Sequence, residues 1–529
     1  MNLMIVIVLI IAVLLRLVPA LYFNEPYSLD SWPLIRDSEV IMSNPNVKIW
    51  NDSLLDGYNN RWPGTILATL LYSIITESSI IDTYKFFGPL VSSLTTLVIM
   101  YVLLRRIFKY SVVSILALTY FALALPLLVF TSATIKEVYA YPMFYSIALL
   151  TLIMIYRRSI NTSAIAIIAL MGVALSITHH LASIMLIGIL GSIIMVYSLL
   201  SLLGRLERSN SEVKYHYLII PLTILSAVFT VYYFVYGGKG FKMPLNINDV
   251  ITYLIYATTI YLTYSLMKLI PSKTKKLMII LILMITTITL LAVPRKSIIP
   301  GIGSINDLSI ILYVLPVFLP LTLIPKLSSV DSYATPLVTG SYLLLATNLA
   351  YIILAKPELS GAFHRVANYL IVANTLLIAH LLSYRSSKVK SYILTILFIT
   401  TACSIVGALN IIHGGDGVTY YWTFRPGEAA AFNTVDKLVS ESVTVLGDAK
   451  VAYFYSILRN VDSGTFLKFV QRGNTNVIRG KLVLLYSDNY RWGYVVSLNS
   501  IDIKPYRQLI LKLDRVIDFS YVNGLMGGE

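Results

Sequence analysis

Long apolar runs separated by short polar loops dominate this chain. A helix needs roughly 20 apolar residues to cross a bilayer core. At that length the pattern predicts about thirteen spans, near 3–22, 86–104, 111–130, 142–156, 162–178, 181–203, 216–236, 249–270, 277–293, 307–324, 334–355, 366–383 and 391–411. The run 163–203 is nearly unbroken. At 1.5 Å per residue it is roughly 60 Å long, about two bilayer cores, so it must cross and return. Its turn falls at His179-His180. Residues 3–22 lack a basic leading segment and a small-residue cleavage site, and read as a retained span rather than a signal peptide.

One loop in the membrane part is long, 23–85. Leu29, Trp32, Ile35 and Val40 fall at helical spacing, predicting a surface-lying helix over 29–42. Trp62-Pro63-Gly64 signals a turn, and the apolar run 65–75 that follows is too short to span. It reads as an interfacial or re-entrant helix. Beyond Gly414-Gly415-Asp416-Gly417 charged residues become frequent and apolar runs shorten. Residues 428–442 have helical spacing, while 443–446, 451–455, 481–486 and 494–498 look like strands. The fold class is therefore an α-helical polytopic membrane protein, residues 1–413, with a small α/β domain, residues 414–529.

Composition agrees. The 529 residues are 57% hydrophobic and 13% charged, against about 25% charged in soluble domains. The net charge of +15 invites a nucleic-acid reading. The basic residues sit mostly in short loops, however, and every second loop is richer in them, as membrane orientation requires. That bias predicts a cytoplasmic N-terminus and an extracytoplasmic C-terminal domain. The single cysteine, Cys403, excludes an intramolecular disulfide and a cysteine metal cluster. Walker A, GxGxxG, HExxH and GxSxG motifs are absent.

The acids are concentrated. Glu25, Asp30, Asp37 and Glu39 share residues 24–39 with Arg36. Carboxylates at a membrane face are expensive to desolvate, so they point to a general base or a divalent-cation site, or else to a solvated loop face. Asp30 and Asp37 are seven apart and would share a helix face. Glu137 is the only acid between Asp82 and Glu207, and falls on the same side; it reads as a site acid or as an ion pair with Lys136. Arg365 opens an apolar span and suits a phosphate, or snorkels to headgroups. His179, His180 and the neighbouring His364 are auxiliary acid/base or metal candidates, or plain turn histidines.

The order of these elements resembles the GT-C superfamily of polyprenyl-phosphate-dependent glycosyltransferases. Asp30-Ser31-Trp32-Pro33-Leu34-Ile35-Arg36 is similar to the Asp-x-Trp-x-x-x-Arg of the first loop in oligosaccharyltransferase catalytic subunits, and Trp62-Pro63-Gly64 to a later Tyr-Pro-x-Gly. The resemblance implies Asp30 as catalytic or metal-binding acid, with Asp37 and Glu137 as further catalytic acids. It implies Glu39 and Glu137 as additional ligands of Mg or Mn, and Arg365 with Arg36 as donor-phosphate contacts. Asp37-Ser38-Glu39 competes with Asp30 for the role of the superfamily's DxD-type motif. The Trp-Trp-Asp-Tyr-Gly motif of oligosaccharyltransferases is absent, so the resemblance implies transfer of one sugar from a polyprenyl-phosphate donor to a lipid, glycan or protein acceptor. The Ile- and Tyr-rich composition resembles archaeal membrane proteins. Two other readings stay open, a secondary transporter and a non-catalytic scaffold for surface assembly.

Overall fold

A computed structural model of the protein describes residues 2–202, 216–242, 246–267, 309–329, 334–355, 363–384, 387–413, 420, 422–425, 427–473, 475–496, 499–510, 514–518 and 522–526. The span predicted at 277–293, the breaker at 414–417 and the loop 356–362 lie outside them. Among the described residues seven helices are long and apolar enough to cross a membrane: Leu3–Phe23, Ile80–Phe108, Lys136–Arg157, His180–Leu199, His216–Gly240, Arg365–Ser383 and Ser387–Ile412. Shorter apolar helices, such as Ser111–Leu123 and Thr162–Thr178, pack among them. The Arg365–Ser383 span is 83% buried against 22% for Leu3–Phe23, so the first is central and the second peripheral. Asn374 fixes the central helix, donating to Tyr120 Oη (2.9 Å) and the Val317 carbonyl (2.8 Å) while Tyr342 Oη donates to it (2.6 Å). Without water, such interhelical bonds hold register.

The span predicted over 111–130 is broken. Ala124 is extended (φ −65°, ψ 112°), and a separate helix Leu125–Phe130 starts with Pro126 in its first turn. Proline lacks the N–H and clashes with a preceding turn, so it starts a helix more readily than it continues one. This break redirects the chain into the loop 131–135.

The helix of the long loop, Ser31–Ser43, is not surface-lying. Residues 31–38 are all buried, because the C-terminal domain packs onto them. Trp32 lies 4.4 Å from the Phe454 ring and 5.0 Å from Phe424, centroid to centroid. The short helix Gly64–Thr76 follows. At Gly64 a Cβ would run into Thr178, so glycine allows this helix to meet the end of Thr162–Thr178.

The C-terminal domain holds a four-stranded sheet in the order β1-β2-β6-β5, with β1 Val445–Leu446, β2 Leu482–Tyr486, β5 Asp514–Asp518 and β6 Val522–Met526. β1 and β2 are parallel and the other pairs antiparallel. β3 Tyr494–Val496 and β4 Asn499–Ile501 form a separate antiparallel pair. Every residue of β2 is buried: Leu482, Leu484 and Tyr486 face the loop-helix side, Val483 and Leu485 the opposite core. The strand predicted at 451–455 is a helix, Ala449–Tyr455. Asp448 overrides the strand pattern: its Oδ1 accepts from the amides of Lys450 (3.0 Å) and Val451 (3.3 Å), which starts the helix.

Candidate functional site

The loop 131–135 positions the central acid, and it is stapled from three sides. Arg16, buried in the first helix, donates Nε to Thr131 Oγ1 (2.7 Å). Ser93 Oγ donates to the Thr131 carbonyl (2.7 Å), and the Gly88 amide donates to Thr134 Oγ1 (2.7 Å). Ser31 Oγ donates to the Thr134 carbonyl (3.0 Å), which ties the two loops together beside Asp30. The helix Lys136–Arg157 then begins, with Glu137 in its first turn, where the helix dipole favours a carboxylate.

Asp30, Glu137 and Arg365 come from three distant parts of the chain and meet. Arg365 Nη2 is 3.7 Å from Asp30 Oδ2, and Nη1 is 3.7 Å from Glu137 Oε2. Tyr141 Oη donates to Glu137 Oε1 (3.1 Å). His179 Nε2 lies 3.2 Å from Arg365 Nη1; a guanidinium only donates, so this contact needs an unprotonated Nε2. The carboxylates differ in access: Asp30 is 40% exposed and Glu137 1%. Asp30 is open to solvent, while Glu137 is enclosed beside the arginine.

Asp30, Glu137, His179 and Arg365 line a cavity of about 500 Å³. Lys136 lines it too, as do Asp56 and Tyr58, which did not stand out in the sequence. Asp56 Oδ1 accepts from the amides of Tyr58 (3.1 Å) and Asn59 (2.7 Å), so it shapes its own loop. Lys136 does not pair with Glu137. Its Nζ sits 3.6 Å from the Tyr58 ring centroid and has no hydrogen-bond partner, although the side chain is buried. A cation held this way against a ring is available to an anion in the cavity. The C-terminal domain closes one wall with Ala452, Tyr453, Ser456 and Ile457. Ser456 adopts φ 45°, ψ −113°, a strained backbone for serine, and its Oγ is 3.5 Å from Asp56 Oδ2.

Glu39, Arg36, Asp37 and His180 lie elsewhere. Glu39 pairs with Arg36 Nη1 at 2.8 Å, not with Asp30 or Glu137. Arg36 also donates Nε to the Phe454 carbonyl (3.2 Å) and lies over the rings of Trp32 and Phe454, so it holds the C-terminal domain and does not reach the cavity lining. Asp37 is buried; its Oδ1 accepts from the Asp56 amide (2.9 Å), and burial pushes its carboxyl up to about 7. It braces the loop behind the cavity. His180 turns away and stacks on Phe241 at 4.4 Å, against Trp62. His364 lies in the first turn of Phe363–Tyr384.

The expected Mg or Mn set of Asp30, Glu39 and Glu137 is not assembled. Glu39 is engaged elsewhere, Asp30 and Glu137 both face one guanidinium, and among the described residues no three His, Cys, Asp or Glu side chains group as metal donors.

No family model matches the chain. No curated protein matches it by sequence. Solved structures do match by shape. ArnT from Cupriavidus metallidurans bound to undecaprenyl phosphate aligns with 99% of this chain and 98% of its own, at TM-score 0.51 and 12% identity. The archaeal oligosaccharyltransferase AglB from Archaeoglobus fulgidus, in complex with an inhibitory peptide and a dolichol-phosphate, aligns with 92% of this chain and 69% of its own, at TM-score 0.54 and 12% identity. The chain therefore shares the GT-C membrane fold over nearly its whole length.

Proposed function

We propose that the chain is a membrane glycosyltransferase that moves a sugar from a polyprenyl-phosphate donor to a lipid, glycan or protein acceptor, on the extracytoplasmic face. The observation that carries this reading is the junction of Arg365 with Asp30 and Glu137 inside the cavity under the C-terminal domain. The structures that share the fold were solved with undecaprenyl phosphate and with a dolichol-phosphate, which makes a prenyl phosphate the natural donor to test.

In this reading the acceptor heteroatom attacks the anomeric carbon. The bond from that carbon to the phosphate oxygen breaks, and the prenyl phosphate leaves with the electron pair. Arg365 and Lys136 stabilise the charge that grows on the leaving phosphate. Asp30, the more exposed carboxylate, takes the acceptor proton. Glu137, locked by Tyr141 and the helix start, keeps Arg365 in place. Among the described residues no set of three acid, His or Cys side chains groups to hold a cation here, so these side chains carry the step themselves. The wall of Tyr453, Ser456 and Ile457 faces the acceptor.

The test compares a deletion strain carrying either the wild-type gene or Asp30→Asn, by mass spectrometry of surface glycans and lipid-linked sugars. The expected outcome is that only the wild type restores a missing sugar, with the lipid donor accumulating in the variant. Restoration by both genes removes Asp30 from catalysis. An unchanged profile on deletion removes the transferase reading altogether.

A further inference from the structure

A second cavity lies away from this site, and its chemistry is different. It is about 230 Å³, inside the membrane bundle, and its walls are mostly apolar: Leu103, Ile107, Leu152, Ile155, Leu190 and Ile193 contribute side chains, with Tyr197 and Ser341 among them. The helix Lys136–Arg157 relates the two sites. Glu137 is in its first turn at the acidic cavity, and this second cavity runs along its later turns to Arg158. Twenty-two residues of α-helix span roughly 33 Å, one bilayer core, so Arg158 marks the opposite membrane face.

Among the described residues the charge at that face is basic. Arg105, Arg106 and Lys109 end the Ile80–Phe108 helix, which supplies Leu103 and Ile107 to the cavity, and Arg157 and Arg158 end its neighbour. None of the five makes an ion pair with a described acid. Partway along the wall, Thr151 is buried and its Oγ1 has no hydrogen-bond partner. A largely apolar slot inside a bilayer with Arg158 in its lining, an arginine that pairs with no acid among the described residues, is complementary to a hydrocarbon chain joined to an anionic headgroup.

We infer that this cavity is a binding site for an anionic glycerophospholipid of the leaflet opposite the acidic site, with one chain in the slot and the phosphate on Arg158. The site is separate from the transfer chemistry and does not depend on it.

The experiment uses the full chain in nanodiscs of equal phosphatidylglycerol and phosphatidylcholine, with retained lipid read by native mass spectrometry. The wild type is expected to retain phosphatidylglycerol over phosphatidylcholine by about tenfold, a difference of about 1.4 kcal/mol. Arg157→Gln with Arg158→Gln is expected to erase the preference, and Arg158→Lys to keep most of it. Leu152→Trp, which fills the slot and leaves the arginines, is expected to lose both lipids. These arginines are exposed at a helix end, so the charge variants test the site even where the packing variant does not fold. Equal retention of the two lipids by the wild type overturns the inference, and so does a preference unchanged in the double arginine variant. Displacement of phosphatidylglycerol by added undecaprenyl phosphate would also overturn it, by giving the slot to a prenyl chain.

Discussion

Arg365 concentrates the chemistry of the site. Its two terminal nitrogens each face a different carboxylate at 3.7 Å, a division of labour that a single lysine ammonium cannot reproduce. Arg365→Ala is expected to lower the transfer rate by about 10²–10³-fold, the range for removing one preorganised charge donor, with Arg365→Lys recovering only part of it. Initial rates against donor concentration check this. Asp37 carries a pH signature instead. Burial raises its carboxyl to about 7, so the folded protein holds a proton that the unfolded chain has released above about pH 4. Stability contributed by this proton is present at low pH and is lost as pH rises towards 7, by at most about 1.4 kcal/mol per pH unit. Asp37→Asn keeps an acceptor for the Asp56 amide and removes the titration. Its melting temperature is expected to gain on the wild type between pH 4 and 7, and equal pH slopes for the two proteins would refute the assignment.

At the scale of elements, the loop 131–135 decides where Glu137 and Lys136 stand. It exists because Ala124-Leu125-Pro126 breaks a run that would otherwise cross as one helix. Gly88 is the tightest of its contacts: a Cβ there would meet the Ala133 carbonyl and the Thr134 amide. Gly88→Ala is expected to destabilise the protein by about 1–3 kcal/mol and to impair transfer further by shifting Glu137. Gly191→Ala, where an added Cβ has open space, is the control. Thermal melts and transfer rates on both variants separate loop displacement from general loss of fold.

The described residues form a bundle and a C-terminal domain joined over the helix Ser31–Ser43. The joint is a shared core of Trp32, Phe424 and Phe454, clamped by Arg36 on the Phe454 carbonyl. Arg36→Ala is expected to weaken the joint by about 1–3 kcal/mol, because it leaves a buried carbonyl without its donor. Limited proteolysis should then release the C-terminal domain faster than from the wild type or from Asp30→Asn. An unchanged release rate would show that the aromatic core alone holds the domain. Because the same domain supplies Tyr453 and Ser456 to the cavity, the Arg36 variant is also expected to bind acceptor more weakly than donor.

The sequence by itself determined the membrane architecture. Spans are a property of local composition: roughly 20 apolar residues suffice whatever surrounds them, so the seven long apolar helices among the described residues and the turn at His179 were legible, while the break at Ala124 that divides the run 111–130 was not. Asp30, Glu137 and Arg365 stood out as candidates, because ionisable groups are rare in such a chain. Tertiary structure alone decided which of them meet. Arg36 and Glu39 share the same short acidic stretch as Asp30, yet they pair with each other and Arg36 turns to the C-terminal domain, and no spacing rule distinguishes them. Asp56 and Lys136 join the cavity through the folding of the long loop onto the second one. Residues 451–455 read as a strand by composition, but Asp448 caps them into a helix. Local pattern specifies which segment leaves water; which side chains converge depends on contacts between segments hundreds of residues apart, such as Arg36 with Phe454, and those exist only once the chain has packed.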